Sequence, residues 1–268
     1  MAIESTKILK KILHDYFSEF FPKEGEKPKV AWCTSVGPSE ILIAMGFKVY
    51  YPENHGALLG ASRFSMETIP LANSMGYSPD CCSYLSADIG AYLKKETPLT
   101  KAYGIPHPPT PDVLVYSTNQ CHEVADWFAF YSREFKVPCL GIHPPWKVGN
   151  ISSDQTHYVA EQFKGLIAHL EKITNKKMDY NKLAEIVAIS RETSQLWNEF
   201  LAFGEKTPSP ITFFDGCIQM APAVVLRGTP IANEYYRILN KEMKEKLMAA
   251  AAPAKPENVR LYWDGMPI

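Results

Sequence analysis

The sequence predicts an α/β protein. A Rossmann- or flavodoxin-like lobe on a parallel sheet is followed by a helical segment, and then by the first strand of a second α/β lobe. Three observations carry that expectation. Short apolar runs alternate with helical periodicity between residues 29 and 142, as in successive βα units. The connections between those runs are short, which suits parallel neighbours joined by helices. From Gln155 onward the strand signal vanishes and helical patterns follow one another. The expected organisation is an N-terminal helix (1–27), an α/β lobe (28–150), a helical segment (151–255) and the incomplete start of a second lobe (256–268).

From Ile3 to Phe21 the residues Ile8, Ile12, Tyr16, Phe17, Phe20 and Phe21 recur at three- and four-residue steps, so an amphipathic helix is expected, stopped by Pro22. Residues 21–28 form a polar linker. Lys29–Cys33 is a short buried strand. Pro38-Ser39-Glu40 opens a helix through Met45, where proline has no amide to lose and glutamate suits the dipole. Gly46 closes it, and Phe47–Tyr51 is the next strand.

Residues 52–56 (PENHG) are expected as the loop leaving that strand. Helices follow at Phe64–Met75 and Ser86–Lys94, a third strand at Asp112–Tyr116, a helix at His122–Phe135 and a fourth strand at Pro138–Ile142. Beyond these, Gln155–Thr174, Tyr180–Phe203, part of Thr212–Leu226 and Ile231–Ala251 read as helices. An Ala/Pro linker leads to a strand at Val259–Trp263. Nothing follows for that strand to pair with, so the expectation is that the chain continues in the native protein or that a second polypeptide completes the sheet.

Composition narrows the function. The formal net charge of −1 argues against a general nucleic-acid or anionic-membrane surface. No apolar run of about 20 residues marks a membrane span, and residues 1–7 lack the features of a secretory signal. A cytoplasmic setting is expected, where cysteines are more often reduced, metal-bound or catalytic than disulfide-bonded. The six cysteines (Cys33, Cys81, Cys82, Cys121, Cys139, Cys217) contain no C-x-x-C pair, so zinc ribbons and thioredoxin-like redox motifs are not supported. Neither G-x-G-x-x-G nor a Walker motif occurs, so ATP used in the reaction belongs to a partner.

In parallel sheets ligands sit outside the carboxyl ends of strands. By sequence position that edge carries Cys33–Ser35, Glu53–His55, Asn119–Cys121 and His143–Trp146. Cys82 and Cys121, 39 residues apart, are the first candidates for a soft-metal site, with an iron–sulfur cluster as the natural occupant. The plainer alternative is that each is a small buried hydrophobe. Two cysteines cannot hold a cubane, so a further ligand must come from elsewhere. Ser35 reads either as a helix-capping hydroxyl or as part of a network at an open metal position. Glu53 reads as a general base, or as a solvated loop carboxylate. Cys33 and Cys81 are each either a further soft ligand or core. Cys139 is assigned to packing and Cys217 to no role. His55, His122 and His143, near the same edge, are individually more often structural than ligating.

The ordered motifs Trp32-Cys33-Thr34-Ser35-Val36-Gly37-Pro38-Ser39-Glu40, Tyr51-Pro52-Glu53-Asn54, Gly76–Tyr84 with its Pro79-Asp80-Cys81-Cys82 run, and Asn119-Gln120-Cys121 with Trp127 resemble the 2-hydroxyacyl-CoA dehydratase/benzoyl-CoA reductase family. The likeness runs through residues 262–267 (YWDGMP). It implies a catalytic subunit of two α/β lobes with helices between them. Such a subunit binds an iron–sulfur cluster, of [4Fe-4S] type, through three cysteines. Carried over by position, Cys82 and Cys121 match two of those ligands and the third belongs to the second lobe. Ser35 and Glu53 match positions facing the open iron site and the substrate.

The resemblance further implies a homologous second subunit or a homodimer, an ATP-hydrolysing iron–sulfur activator delivering single electrons, and an acyl-CoA substrate. One-electron reduction of a 2-hydroxyacyl thioester to a ketyl-type radical anion expels the hydroxyl and acidifies an otherwise inert β-proton. Cys33 and Cys81 stand where the dehydratases do not carry cysteine, which suits a different or larger cluster such as a double-cubane centre. His55 after Glu53-Asn54 points to altered acid–base chemistry. A benzoyl-CoA reductase-like role, or reduction of a small non-CoA substrate, is therefore the alternative within the superfamily. Outside it stand a non-catalytic scaffold subunit and a flavodoxin-like binding module without metal.

Overall fold

A computed structural model of the chain describes residues 4–146, 149–249 and 258–261. They fall into two compact units, one spanning Lys11–Ala188, the other formed by residues 4–10 with the described residues from 189 onward. The first helix, α1 (Glu4–Ser18), is followed by β1 (Val30–Cys33), α2 (Ser39–Ala44), β2 (Lys48–Tyr50), α3 (Pro52–Ala61), α4 (Ser65–Ser74), α5 (Ser83–Lys94), α6 (Leu99–Tyr103), β3 (Val113–Ser117), α7 (Glu123–Phe135) and β4 (Cys139–Ile142). Then come α8 (Ser153–Thr174), α9 (Tyr180–Ala202), a 3-10 turn (Phe203–Glu205), α10 (Phe213–Gln219), α11 (Ala221–Val225) and α12 (Pro230–Met248).

In the unit Lys11–Ala188 the four strands form one parallel sheet in the order β2-β1-β3-β4. Trp32 of β1 stands beside Tyr50 on one side and Leu114 on the other, and Val115 of β3 beside Leu140. Both central strands are buried on both faces, which is why they read as continuous apolar runs rather than as alternating ones. Trp32 packs edge-on to Tyr131 and Phe135 of α7 and satisfies its indole N–H on the Pro109 carbonyl at 2.8 Å. Asp112 accepts the Val30 amide at 2.7 Å and pins the start of β3 to that of β1.

The order of the strands locates the binding crevice. The chain steps from β1 outward to β2, then returns past β1 to β3. That reversal makes the gap between β1 and β3 the topological switch point, where loops diverge at the carboxyl edge and leave room for a ligand. Thr34 spans it: its amide donates to the Val115 carbonyl at 3.2 Å, and its hydroxyl accepts the Ser117 amide at 3.1 Å.

Residues 52–56, expected as a loop, are instead the start of α3. Pro52 supplies a helical φ at the first position, extended Tyr51 precedes it, and Glu53 lies in the first turn where the dipole favours a negative charge. Gly56 masks this helix in the sequence, yet packing demands it. A Cβ there would stand 2.9 Å from that of Tyr84 on α5. Gly90 of α5 likewise lies directly on the Thr68 backbone of α4, so α3, α4 and α5 come together through two positions that tolerate no side chain.

Asp88 of α5 fastens that helix to α3 and α7. One of its oxygens meets His55 Nδ1 at 2.5 Å, and the other accepts the Trp127 indole N–H at 2.9 Å and the Tyr131 hydroxyl at 2.6 Å. His55 Nε2 lies 2.8 Å from the Thr97 hydroxyl.

The second unit is helical. Asn233 of α12 accepts the Thr193 hydroxyl of α9 at 2.5 Å, and Asn240 donates to the Leu196 carbonyl at 3.0 Å. The strand expected at Val259–Trp263 is not formed over its described part, residues 259–261; Tyr262 and Trp263 lie outside the described residues.

Candidate functional site

At the carboxyl edge of the switch point, Ser35 follows β1, Glu53 opens α3, and Gln120 and Cys121 lie in the turn between β3 and α7. The half-buried Glu53 carboxylate accepts the Ser35 backbone amide with one oxygen and the Gln120 side-chain amide with the other. One carboxylate therefore joins three segments that are distant in sequence.

Cys121 precedes His122, the residue that caps α7, and the backbone N–H groups of Glu123 and Val124 are directed at its sulfur. A thiolate so placed meets the positive end of the helix dipole. Even so, the thiol is pushed up from its ordinary value. Desolvation is the main cause, the two backbone N–H groups oppose it, and the negative charges of Cys82 and Glu53 add to the rise. Glu53 is also tied to Gln120, next to Cys121, and Cys82 to Glu123, two residues beyond Cys121. Cys82, Cys121 and Glu53 thus share one rim.

Cys82 is the residue preceding α5, and its amide donates to Glu123 Oε2 at 2.7 Å. Each of the two cysteines therefore stands at the start of a helix of twelve or more residues, and both are exposed.

The remaining candidates lie elsewhere. Cys33 is fully buried at the end of β1, its sulfur directed toward Gly37. Cys81, adjacent to Cys82, lines a cleft of about 260 Å³ with Tyr77, Leu85, Asp126, Arg133 and Glu123, the last shared with the rim. Cys139, half-buried in β4, has its thiol pushed up to about 11 by burial, and Cys217 is exposed on α10 in the other unit. His122 is exposed at the cap of α7, and His143 is exposed with Nδ1 3.4 Å from the Thr118 hydroxyl. His55 is sealed in the Asp88 network.

Two residues of the rim escaped the sequence reading. Gln120 is visible only as part of a motif, and Glu123 looks like any acidic residue in a first helical turn. Nothing local announces that its side chain reaches the amide of Cys82, 41 positions away.

The donor chemistry suits a thiophilic centre: two thiols at helix starts, one of them already receiving N–H groups of the kind that stabilise thiolate ligands. Among the described residues no group of three or more His, Cys, Asp or Glu side chains is arranged to hold a metal ion. The rim supplies two soft donors.

Residues 34–268 match the family model described as 2-hydroxyglutaryl-CoA dehydratase, D-component. The chain is 31% identical over 243 residues to the alpha subunit of (R)-phenyllactyl-CoA dehydratase from Clostridium sporogenes, covering 89% of this chain and 58% of that protein. It is 29% identical over 267 residues to the alpha subunit of (R)-2-hydroxyisocaproyl-CoA dehydratase from Clostridioides difficile, covering 98% and 64%. With a subunit of the benzoyl-CoA reductase of Thauera aromatica it shares 28% identity over 223 residues, 82% and 51% of the two chains. The chain thus spans about three-fifths of the length of the dehydratase subunits it matches. The match begins at Thr34, the residue that bridges β1 and β3, and takes in every member of the rim. The chain therefore belongs to the family of the 2-hydroxyglutaryl-CoA dehydratase D-component.

Proposed function

We propose that this chain is an iron–sulfur subunit of a cytoplasmic 2-hydroxyacyl-CoA dehydratase. In this reading Cys82 and Cys121 are ligands of a [4Fe-4S] cluster, and Ser35 and Glu53 border the substrate. The observation that carries the reading is the pair of hydrogen bonds, Gln120 to Glu53 and the Cys82 amide to Glu123, that brings Cys82, Cys121 and Glu53 to one rim of the parallel sheet. A cluster held there supplies one-electron chemistry and a Lewis-acid site for a substrate oxygen.

The protein's own part follows from the geometry. The backbone N–H groups at the start of α7 favour the thiolate form of Cys121 against the desolvation that opposes it. The Ser35 and Gln120 donors fix the position of the Glu53 carboxylate, so that one of its oxygens can take the proton lost from the β-carbon as the substrate becomes a 2-enoyl-CoA and water leaves. The third cluster ligand comes from outside the described residues. A homologous second subunit or a second copy of the chain completes the site, and an ATP-hydrolysing iron–sulfur activator supplies the electron.

The test uses the full chain, reconstituted anaerobically with iron and sulfide and combined with a partner subunit, an activator and ATP. Conversion of 2-hydroxyacyl-CoA to 2-enoyl-CoA is the expected result. Iron bound with no enoyl-CoA formed contradicts the dehydratase assignment. Similarity to the benzoyl-CoA reductase makes reductive chemistry the second reading, and ring reduction of benzoyl-CoA by the same mixture identifies it.

A further inference from the structure

We infer that Glu123 is a positioning residue that sets the spacing of Cys82 and Cys121. The inference rests on the reading of those two thiols as cluster ligands. Glu123 touches both helix starts. Its Oε2 accepts the Cys82 amide at 2.7 Å, and its own backbone N–H is one of the two directed at the Cys121 sulfur. The residue is the first of α7, while Cys82 immediately precedes α5 and caps it with no side-chain hydrogen bond of its own. The amide at the entry to α5 is therefore held by a carboxylate from another helix rather than by a local partner.

The bodies of the same two helices are fastened independently. Asp88 of α5 accepts from Trp127 and Tyr131 of α7, more than one turn deeper. With the shafts locked there, the Glu123–Cys82 bond governs only the tips. A cysteine-bound centre needs its sulfurs at a fixed separation before the metal arrives, and a charge-assisted hydrogen bond between the two ligand-bearing tips provides that. Removing it leaves α5 and α7 packed and frees the Cys82 tip to move relative to Cys121.

The test reads sulfur spacing directly, without activity. The full metal-free chain is treated with dibromobimane, which fluoresces once both of its arms have reacted with neighbouring thiols, and the bridged peptides are identified by mass. Wild-type protein is expected to yield a Cys82–Cys121 bridge. Glu123→Gln retains an acceptor oxygen at the same reach but not the charge, and bridges at a rate between those of wild type and Glu123→Ala. Glu123→Ala bridges about tenfold less, the order expected for losing one charged hydrogen bond, while its melting temperature falls by only about 3–6 °C and single-arm alkylation of each cysteine stays at the wild-type rate. Iron and sulfide per chain after anaerobic reconstitution follow the same order.

Should Glu123→Ala not fold, Glu123→Asp, which keeps the charge but falls short of the amide, is expected to show the same loss. Bridging by Glu123→Ala or Glu123→Asp at the wild-type rate overturns the inference, as does absence of the bridge in wild-type protein. A wild-type chain that bridges but takes up no iron leaves the positioning role of Glu123 standing and removes the cluster reading.

Discussion

Gln120 donates its side-chain amide to the carboxylate of Glu53 across the gap between the β3–α7 turn and the first turn of α3. Glu53 also holds the Ser35 amide, so its position is set from both sides of the switch point.

Glu53→Gln tests whether that carboxylate performs chemistry or only holds the loops. Glutamine keeps one acceptor for the Ser35 amide but presents a donor to the donor of Gln120. Dehydration is expected to fall by about 10²–10⁴-fold, the usual cost of losing a general base, with the urea midpoint little changed. Because the Glu53 charge pushes the Cys121 thiol up, removing it lowers that pKa, and iodoacetamide labelling of Cys121 at a fixed pH below it speeds up. Unchanged labelling contradicts the placement of Glu53 beside Cys121.

Asp88→Ala removes the common acceptor of His55, Trp127 and Tyr131. Three buried polar groups then lose their partner at once. Destabilisation of about 3–5 kcal/mol is expected in urea unfolding. A loss below about 1 kcal/mol, the scale of one ordinary hydrogen bond, contradicts the role given to this network.

Gly90→Ala drives a methyl group into the Thr68 backbone and separates α4 from α5. Backbone cannot step aside as a side-chain tip can, so a loss near the upper end of overpacking costs, about 3 kcal/mol, is expected. A variant as stable as wild type shows that the two helices are not in this contact.

Cys139 gives the fold an alkaline limit of its own. Burial holds its thiol in the neutral form, with a folded-state pKa of about 11 against an ordinary value of 9.0. The folded protein thus binds more protons than the unfolded chain above the ordinary value. The contribution is complete below pH 9 and lost as pH rises toward 11, with a slope approaching about 1.4 kcal/mol per pH unit. Urea unfolding between about pH 8 and 10.5 is expected to show stability falling more steeply with pH in wild type than in Cys139→Ala. Parallel curves contradict the burial argument.

The parallel lobe was legible because its central strands are buried on both faces and its helices begin with proline, serine or acid at the right spacing. The rim was legible at Cys82, Cys121, Ser35 and Glu53 because each lies at a helix start or strand end within a motif. The helix of Glu53 was not, since Gly56 reads as a loop residue until Tyr84 is seen against it. His55, read as a hint of altered acid–base chemistry, proves to be buried with Asp88, a partner that periodicity cannot reveal. Glu123 and Gln120 were hidden for the same reason: each acts at a distance of tens of residues through a side chain whose local sequence is ordinary.

Metal analysis decides whether sulfurs from two separate helix starts bind iron together. Iron and acid-labile sulfide per chain, with the optical spectrum, are measured after anaerobic reconstitution in the presence of an external thiol. Wild type and the control Cys217→Ser are expected to hold a cluster of about four irons, and Cys82→Ser and Cys121→Ser each to lose it. Wild-type iron content in both of those variants contradicts the account.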